Sequence, residues 1–369
     1  MGKAKFYTDS YLDTKRQEGD PLADKAFRAI KESPNGTAMR DLMAKVMLNR
    51  DSWPDNLPPA AYHYLEQTSL LPSFANPAKM KKGAEVFAKN AEDFLSMLGF
   101  ASLPYCYAAA DGARVLKASP RLIDDPSRRL FETARFVLDV MDPLAFTPQG
   151  RGYKSIQKVR LMHAAVRYYI EASGDWDYES WGVPVNQEDM AGTQLAFWYL
   201  PVRSMAKIGI PLNRDDADDF RHLWKVIGHL IGVEDALLTD SSHESYLLTA
   251  KIAKRTIRPS EHGKALTRSL IENFKDAPVK GPWEKIIEPY MRYLLGDDVA
   301  DVVGIRNEPF ASMVLKPMLG LRSLQSLVSS KNKFYQMRNI LGRELRRELG
   351  GEASKKSFPM PRGLGVNLS

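Results

Sequence analysis

The sequence predicts an all-α fold, and three observations lead to this prediction. Apolar residues recur at intervals of three and four along most of the chain, which is the spacing of an amphipathic helix. Regular alternation of apolar and polar residues, which is typical of half-buried strands, is scarce. No internal repeat of the length found in solenoids or propellers occurs.

The helix boundaries follow from capping and breaking residues. The first well-marked helix covers Leu22–Lys31, because Asp20-Pro21 is a start signal and Pro34-Asn35-Gly36 ends the segment. Gly174 is placed to cap the C-terminus of a strong helix over Ser155–Ala172. The sequence predicts further helices over Met80–Gly99, Arg128–Met141, Gln187–Gly209, Arg214–Gly232, Glu234–Lys254, His262–Asn273, Glu284–Leu295, Met313–Ser329 and Lys331–Glu348.

The composition excludes several classes of protein. With 44% hydrophobic residues, the chain has enough apolar side chains for a large buried core. The single cysteine, Cys106, rules out an intramolecular disulfide and any site built from several cysteines, so a reducing compartment is expected. The first residues are polar and no run of about 18 apolar residues occurs, so we expect a cytoplasmic protein without a signal peptide.

The net charge of +7 is concentrated near the C-terminus. From Lys331 onward there are nine basic residues and three acidic ones, a balance of +6, so the remainder is nearly neutral. This distribution argues against a broad phosphate-binding face, and we expect no nucleic-acid partner. The segment Lys331–Glu348 has an apolar stripe and a basic arc, so it either packs on the body of the protein or attaches peripherally to anionic lipid.

One predicted helix carries a histidine in the middle of its apolar stripe. The stripe consists of Ile156, Val159, His163, Val166 and Ile170. A histidine in this setting is either a core residue or, as a neutral imidazole in an apolar pocket, a suitable axial ligand for haem iron. Arg160 and Arg167 lie one turn on either side of His163 and suit pairing with haem propionates. They are equally compatible with a solvent-facing position or with pairing to Glu171 and Asp175.

A second predicted helix carries a compact polar cluster. Arg129, Glu132 and Thr133 are spaced i, i+3 and i+4 and therefore lie on one face. The cluster is either a surface ion pair or a buried group of an arginine, a carboxylate and a hydroxyl. In the buried case it can tune a bound oxygen ligand or move a proton.

These residues resemble the catalytic domain of the latex clearing proteins, or rubber oxygenases, which is shared with MpaB-type oxygenases. That family carries an Arg-x-x-Lys-Thr motif followed by a His-Ala-Ala-Val-Arg segment. Here the first motif stands as Arg129-Leu130-Phe131-Glu132-Thr133 and the second as His163-Ala164-Ala165-Val166-Arg167, with a separation of thirty positions from Thr133 to His163. The segment from Gly19 to Asp24 and the segment from Gly182 to Asp189 also match, and the resemblance extends over roughly residues 18–250.

The resemblance implies a globin-like helical core that holds one haem b, with additional N- and C-terminal helices. His163 would be the axial ligand of the iron, and Arg160 and Arg167 would take part in binding the cofactor. Arg129, Glu132 and Thr133 would be the catalytic residues. The expected organisation is an N-terminal helical extension over residues 1–60, an oxygenase-like core over 61–255, and C-terminal helices with the basic tail over 256–369.

Two departures from the family pattern concern the catalytic groups. The lysine of the first motif is replaced by Glu132. The family's catalytic carboxylate, which lies upstream of the arginine, has no glutamate counterpart, and the acids available between residues 103 and 128 are Asp111, Asp124 and Asp125. Polyisoprene cleavage is therefore not assigned. The hypothesis is that Glu132 takes over the handling of a proton near bound dioxygen.

The function that follows from the resemblance is a haem-dependent oxygenase. It would use dioxygen as co-substrate and act on a hydrophobic small molecule or polymer, for example an isoprenoid or another alkene. The sequence indicates neither the reductant nor a choice between monooxygenation and dioxygenation. The alternatives are a haem-binding sensor or carrier without turnover, and a helical interaction protein without a cofactor.

Overall fold

The computed structural model describes residues 7–33, 39, 42–43, 46–117, 126–275 and 285–308. The helices are α1 (Asp9–Arg16), α2 (Pro21–Glu32), α3 (Pro59–Gln67), α4 (Pro77–Lys89), α5 (Ala91–Met97), α6 (Leu103–Ala108), α7 (Ala110–Lys117), α8 (Pro126–Val140), α9 (Gly152–Ser173), α10 (Tyr178–Trp181), α11 (Gln187–Lys207), α12 (Arg214–Leu230), α13 (Ser242–Thr256), α14 (Glu261–Lys275), α15 (Ile287–Leu295) and α16 (Asp297–Val302). Within the described ranges, extended pairing is limited to one isolated bridge between Ala109 and Ile257. The predicted all-α fold is confirmed.

The predicted start of α2 and the predicted end of α9 are both confirmed. The Asp20 side chain caps α2 by accepting a hydrogen bond from the backbone N–H of Ala23, and Pro21 occupies the first turn. Gly174 ends α9 in the left-handed conformation with a φ of 71°. Local chemistry therefore fixes both helices that carry the residues discussed below.

The predicted helix over Met80–Gly99 is wrong as a single element. The chain leaves helical geometry at Asn90, where φ is −117° and the side-chain amide donates to the carbonyl of Val86 at 2.9 Å. An asparagine can satisfy the last turn of a helix in this way and so divide an otherwise periodic segment. The segment becomes α4 and α5, and α5 continues into a π-helix over Leu98–Ser102.

The predicted helix over Glu234–Lys254 begins too early. A 3-10 helix covers Asp235–Leu237, and α13 starts only at Ser242. The Ser241 hydroxyl accepts from the Glu244 N–H at 3.1 Å, and the Glu244 carboxylate accepts from the Asp240 N–H at 2.8 Å. This is a capping-box arrangement, shifted by one residue at its second bond, and it sets the true helix start.

The helix α9 lies inside the molecule and packs against α2, α8 and α12. From Gly152 to Arg167 it is buried at every position except four, which are Tyr153, Arg160, His163 and Val166. Most globular helices keep a solvent-facing side, so enclosure on this scale is unusual. His163 is therefore one of the few places where this helix offers accessible surface.

The short helix α1 is fastened to distant parts of the chain by ion pairs. Arg255, on α13, contacts Asp9 at 3.0 Å, Asp13 at 2.6 Å and the fully buried Glu188 at 2.7 Å. Apolar packing adds to this, because Leu12 is completely buried in the largest core cluster. The N-terminal helix is thus an integral part of the described fold.

Several sequence predictions concern residues that the structure does not describe. The predicted helices over Met313–Ser329 and Lys331–Glu348, with the basic tail, lie outside the described residues. The boundaries proposed at residues 60 and 255 stay a prediction. In the described part of the chain, no helix combines the length and the apolar character needed to cross a bilayer.

Candidate functional site

The helices α8 and α9 pack against each other and carry the two sequence motifs. A buried hydrogen bond links them, in which the Ser155 hydroxyl donates to the Asp139 carboxylate at 2.8 Å. This hydrogen bond lies close to the end of α8 and to the start of α9. At a rise of about 1.5 Å per residue, Glu132 lies roughly 10 Å back from Asp139 and His163 roughly 12 Å on from Ser155. Glu132 and His163 are therefore at similar levels along their helices, measured from this hydrogen bond.

Accessible surface appears on both helices at this level. On α8 the residues from Leu130 to Arg135 are all partly exposed, whereas those from Phe136 to Val140 are all buried. On α9 His163 and Val166 keep partial exposure, while the Nδ1 atom of His163 is buried. We call this region, residues 130–135 with His163 and Val166, the His163 face. Its polar side chains include the predicted Glu132 and Thr133.

Three predicted site residues, Glu132, Thr133 and His163, thus lie on partly exposed stretches of these two helices. Glu132 and Thr133 are half-buried, which places them between the alternatives of a solvated ion pair and a fully buried cluster. Their neighbour Arg135 lies 3.9 Å from Asp139 on the same helix. Arg129 belongs to α8, but its side chain lies outside the described residues.

Arg160 is fully engaged by the protein. Its Nε and Nη2 atoms donate to the two carboxylate oxygens of Asp20 at 2.5 and 2.9 Å, and its Nη1 donates to the Leu230 carbonyl at 3.0 Å. Asp20 is 4% exposed. A bidentate contact between a guanidinium and a carboxylate is among the strongest and most directional ion pairs. Arg160 therefore ties α9 to the start of α2 and to the end of α12.

Arg167 is only partly engaged. Its Nε donates to Asp24 at 2.7 Å and its Nη1 donates to the Val185 carbonyl at 3.1 Å. The third nitrogen, Nη2, is buried and has no hydrogen-bond partner among the residues that the structure describes. Burial raises the pKa of the Asp24 carboxyl, and the Arg167 charge opposes that rise. Val185, which supplies the carbonyl, is held at a φ of 53°, a left-handed conformation that is rare for a β-branched residue.

The partners of these arginines differ from those that the sequence suggested. Glu171 pairs with Arg28 at 3.0 Å on the surface rather than with Arg167. Asp20 and Asp24, which sequence reasoning did not assign to the site, are the actual partners. The signal in the sequence was the segment from Gly19 to Asp24, which resembles the family and contains both carboxylates.

The acids considered for the missing catalytic carboxylate divide into two groups. Asp111 is 2% exposed and lies between Arg16 at 2.6 Å and Arg258 at 2.5 Å, so it is the centre of a structural ion-pair network. In the same network, burial raises the pKa of Asp189 to about 6, against the attraction of Arg16. Asp124 and Asp125 lie outside the described residues.

The sequence patterns also did not identify two buried lysines in the first half of α9. Lys154 and Lys158 are each 4% exposed. The Lys154 amine lies over the ring of Trp53, and the Lys158 amine donates to the carbonyls of Met43 and Val46. Burial lowers the pKa of each amine to about 7. The charge pattern of the sequence does not indicate that these lysines are buried, because they lie within an otherwise apolar helix.

Comparison with known proteins identifies the family. A family model described as "ER-bound oxygenase mpaB/B'/Rubber oxygenase, catalytic domain" matches residues 92–324. The chain belongs to this family. The match includes α8 and α9 with both motifs, so the chain is an oxygenase-family protein, and the predicted resemblance is confirmed.

Two known members of the mpaB and rubber oxygenase family illustrate the similarity. The rubber oxygenase of Streptomyces sp. (strain K30) is 27% identical over 293 residues, which is 79% of this chain and 71% of that protein. The structure of a latex clearing protein in the closed state aligns with a TM-score of 0.76 and 22% identity, and the alignment covers 90% of each chain. At that identity the structural likeness supports the fold alone.

Proposed function

We propose that the protein is a haem b-dependent oxygenase that acts with dioxygen on a hydrophobic, alkene-containing substrate, with His163 as the axial ligand of the iron. The observation that supports this most directly is the position of His163. It keeps accessible surface within the stretch of α9 from Gly152 to Arg167, where only Tyr153, Arg160 and Val166 do the same. The substrate class is suggested by the name of the Streptomyces relative, which indicates rubber.

The residues present suit a haem in two respects. Haem iron needs only one or two protein ligands, because the porphyrin supplies the others, and His163 offers an imidazole that keeps accessible surface. The buried Arg167 has an unused donor within one turn of His163, which suits a carboxylate. When bound, a haem would supply an iron centre for oxygen chemistry, tuned by its axial ligand and by nearby polar groups.

The chain's own residues have distinct tasks in this proposal. His163 would hold the cofactor from α9, while the Asp20–Arg160 contact keeps that helix in place against α2. On α8 the Thr133 hydroxyl would donate a hydrogen bond to the oxygen co-substrate. Arg129, whose side chain lies outside the described residues, is proposed as a second donor. Glu132 is the carboxylate that accepts or returns a proton of the substrate, since it stands where the family motif has lysine. The physiological reductant is a further partner to be identified.

The proposal is tested by absorption spectroscopy of the purified protein after haem supplementation, in oxidised and reduced forms. We expect a Soret band that is lost or strongly shifted in His163→Ala. The matched control is His229→Ala, because His229 lies on the surface and pairs with Asp235 at 2.6 Å. Absence of haem uptake, or equal spectra for His163→Ala and wild type, would overturn the proposal. Stable haem binding without oxygen consumption on any alkene would favour a carrier or sensor instead.

A further inference from the structure

The two arginines that flank His163 differ in what they have left to offer a ligand. All three nitrogens of the Arg160 guanidinium donate to protein oxygens, on Asp20 and Leu230. Arg167 donates through two nitrogens only, to Asp24 and Val185. Its Nη2 is buried and meets no acceptor within the described ranges. From the sequence alone Arg160 and Arg167 are equivalent, whereas in the structure they differ in the nitrogens that are already hydrogen-bonded to protein oxygens.

A buried guanidinium nitrogen without a hydrogen-bond partner favours the binding of an anionic acceptor. Arg167 is 6% exposed, so water does not replace the missing partner freely. Nearly all buried polar groups in folded proteins are satisfied, and an exception commonly marks a place where a ligand or an ion completes the bonding. Because the donor is charged and planar, a carboxylate is the chemical group that suits it best.

The contacts of Arg167 also orient the unused nitrogen. Asp24 fixes the Nε edge of the guanidinium at 2.7 Å and the Val185 carbonyl fixes Nη1 at 3.1 Å. Val185 presents that carbonyl from a left-handed conformation, a form of local strain that folded proteins retain mainly where the surroundings require it. Because the guanidinium is planar, fixing Nε and Nη1 also fixes the direction in which Nη2 points.

We propose that Arg167 alone of the pair binds a carboxylate of the ligand held by His163, and that Asp24 is its positioning residue. Arg160 and Asp20 serve the architecture of α9 without touching the ligand. This assignment rests on the proposed haem function, since the carboxylates concerned are the two propionates of the porphyrin. It goes further in assigning anion recognition to one guanidinium and excluding the other.

The test compares haem with its dimethyl ester, in which both carboxylates are masked. Each is titrated into the purified protein and followed at the Soret band. Wild type should prefer the free acid by about tenfold to hundredfold, the range expected for a charge-assisted hydrogen bond. Arg167→Lys should reduce that preference to less than about threefold while leaving affinity for the ester unchanged. The matched control, Arg160→Lys, should keep the wild-type preference.

Asp24→Asn provides a second variant in which the arginine itself remains. It should lower the preference for the acid as Arg167→Lys does, whereas Asp20→Asn should leave it as in wild type. Unchanged ester binding in each variant shows that the fold and the ligation by His163 are intact. A wild-type preference in Arg167→Lys, or an equal loss in Arg160→Lys, would overturn the assignment while leaving the haem proposal standing. Failure of the haem proposal would appear differently, as wild-type protein that takes up neither the acid nor the ester.

Discussion

The two sides of α9 differ in the ion pairing and the exposure of their polar side chains. Toward α2, the arginines meet defined carboxylates, and Asp20 and Arg160 form a buried bidentate pair. Toward α8, the residues from Leu130 to Arg135 keep partial exposure and carry Glu132 and Thr133. Removing one partner of a buried ion pair typically costs about 3–5 kcal/mol, whereas a change at an accessible polar residue usually costs less than about 0.5 kcal/mol. The first side therefore supports the helix, and we propose that the second serves the chemistry.

The largest effect on stability is expected at Gly232, next to the Asp20–Arg160 pair, where no space is left for a Cβ atom. Gly232 has a φ of 97°, and a Cβ there would lie 2.6 Å from Asp20 Oδ2 and 2.7 Å from Arg160 Nε. Gly232→Ala should lower the free energy of unfolding by about 3–5 kcal/mol, because it both strains the backbone and breaks the buried pair. Urea unfolding measures this.

The control for that substitution is Gly174→Ala. Gly174 also has a positive φ, of 71°, but a Cβ there would meet nothing within 4 Å. Only the backbone strain remains, so the loss should be about 1 kcal/mol. Equal losses for the two variants would contradict the role given to the Asp20–Arg160 contact.

A smaller effect, dependent on pH, is expected at Lys158. Burial lowers the pKa of this amine to about 7 from its ordinary 10.5. Between these two pH values the amine is therefore protonated in the unfolded chain and neutral in the folded protein. The free energy of unfolding should therefore rise with pH from about 7 to 10. In Lys158→Met that rise should be smaller by at least about 2 kcal/mol.

Denaturation at pH 7 and pH 9.5 measures the difference between the two proteins. The exposed Lys254 gives a matched control, because Lys254→Met should leave the pH dependence unchanged. If Lys158→Met and wild type gain stability equally between these pH values, the buried amine is charged in the folded protein, and the depressed pKa is refuted.

The smallest effect on stability is expected on the accessible side. Glu132→Gln should change the free energy of unfolding by no more than about 0.5 kcal/mol, because the side chain is half-buried and keeps its size. Turnover, measured as oxygen consumption with a short isoprenoid alkene, should nevertheless fall by at least about a hundredfold, and the haem spectrum should persist. Glu171→Gln, on the surface at the far end of α9, should leave turnover intact. Unchanged turnover in Glu132→Gln would remove the proton-handling role.

The elements best predicted from the sequence are those with local signals. Pro21 after Asp20, and Gly174 after a long periodic segment, fixed the ends of α2 and α9 because capping depends on the residues nearest the helix end. The short helices such as α1 and α10 were not predicted, since one or two turns contain too few positions to establish a period. Asn90 and Ser241 shifted other boundaries through side-chain bonds that periodicity does not register.

The candidate site was predicted only in part, for a related reason. The motifs pointed to Glu132, Thr133 and His163, and their assignment to one site stays a prediction. The partners Asp20 and Asp24 could not be assigned, because their contacts with α9 span 140 and 143 positions of sequence. Helical spacing also treats Arg160 and Arg167 alike, since which nitrogens are already bonded depends on neighbours from three other segments.

The attachment of α1 has a consequence for biosynthesis. Asp9 and Arg255 are separated by 246 positions, so the first helix leaves the ribosome long before its partner exists. At about 5–20 residues per second, the delay is roughly 12–50 s. Throughout this interval Asp9 and Asp13 lack the cation that pairs with them in the folded protein, so the ion pairs between α1 and α13 form only late in synthesis.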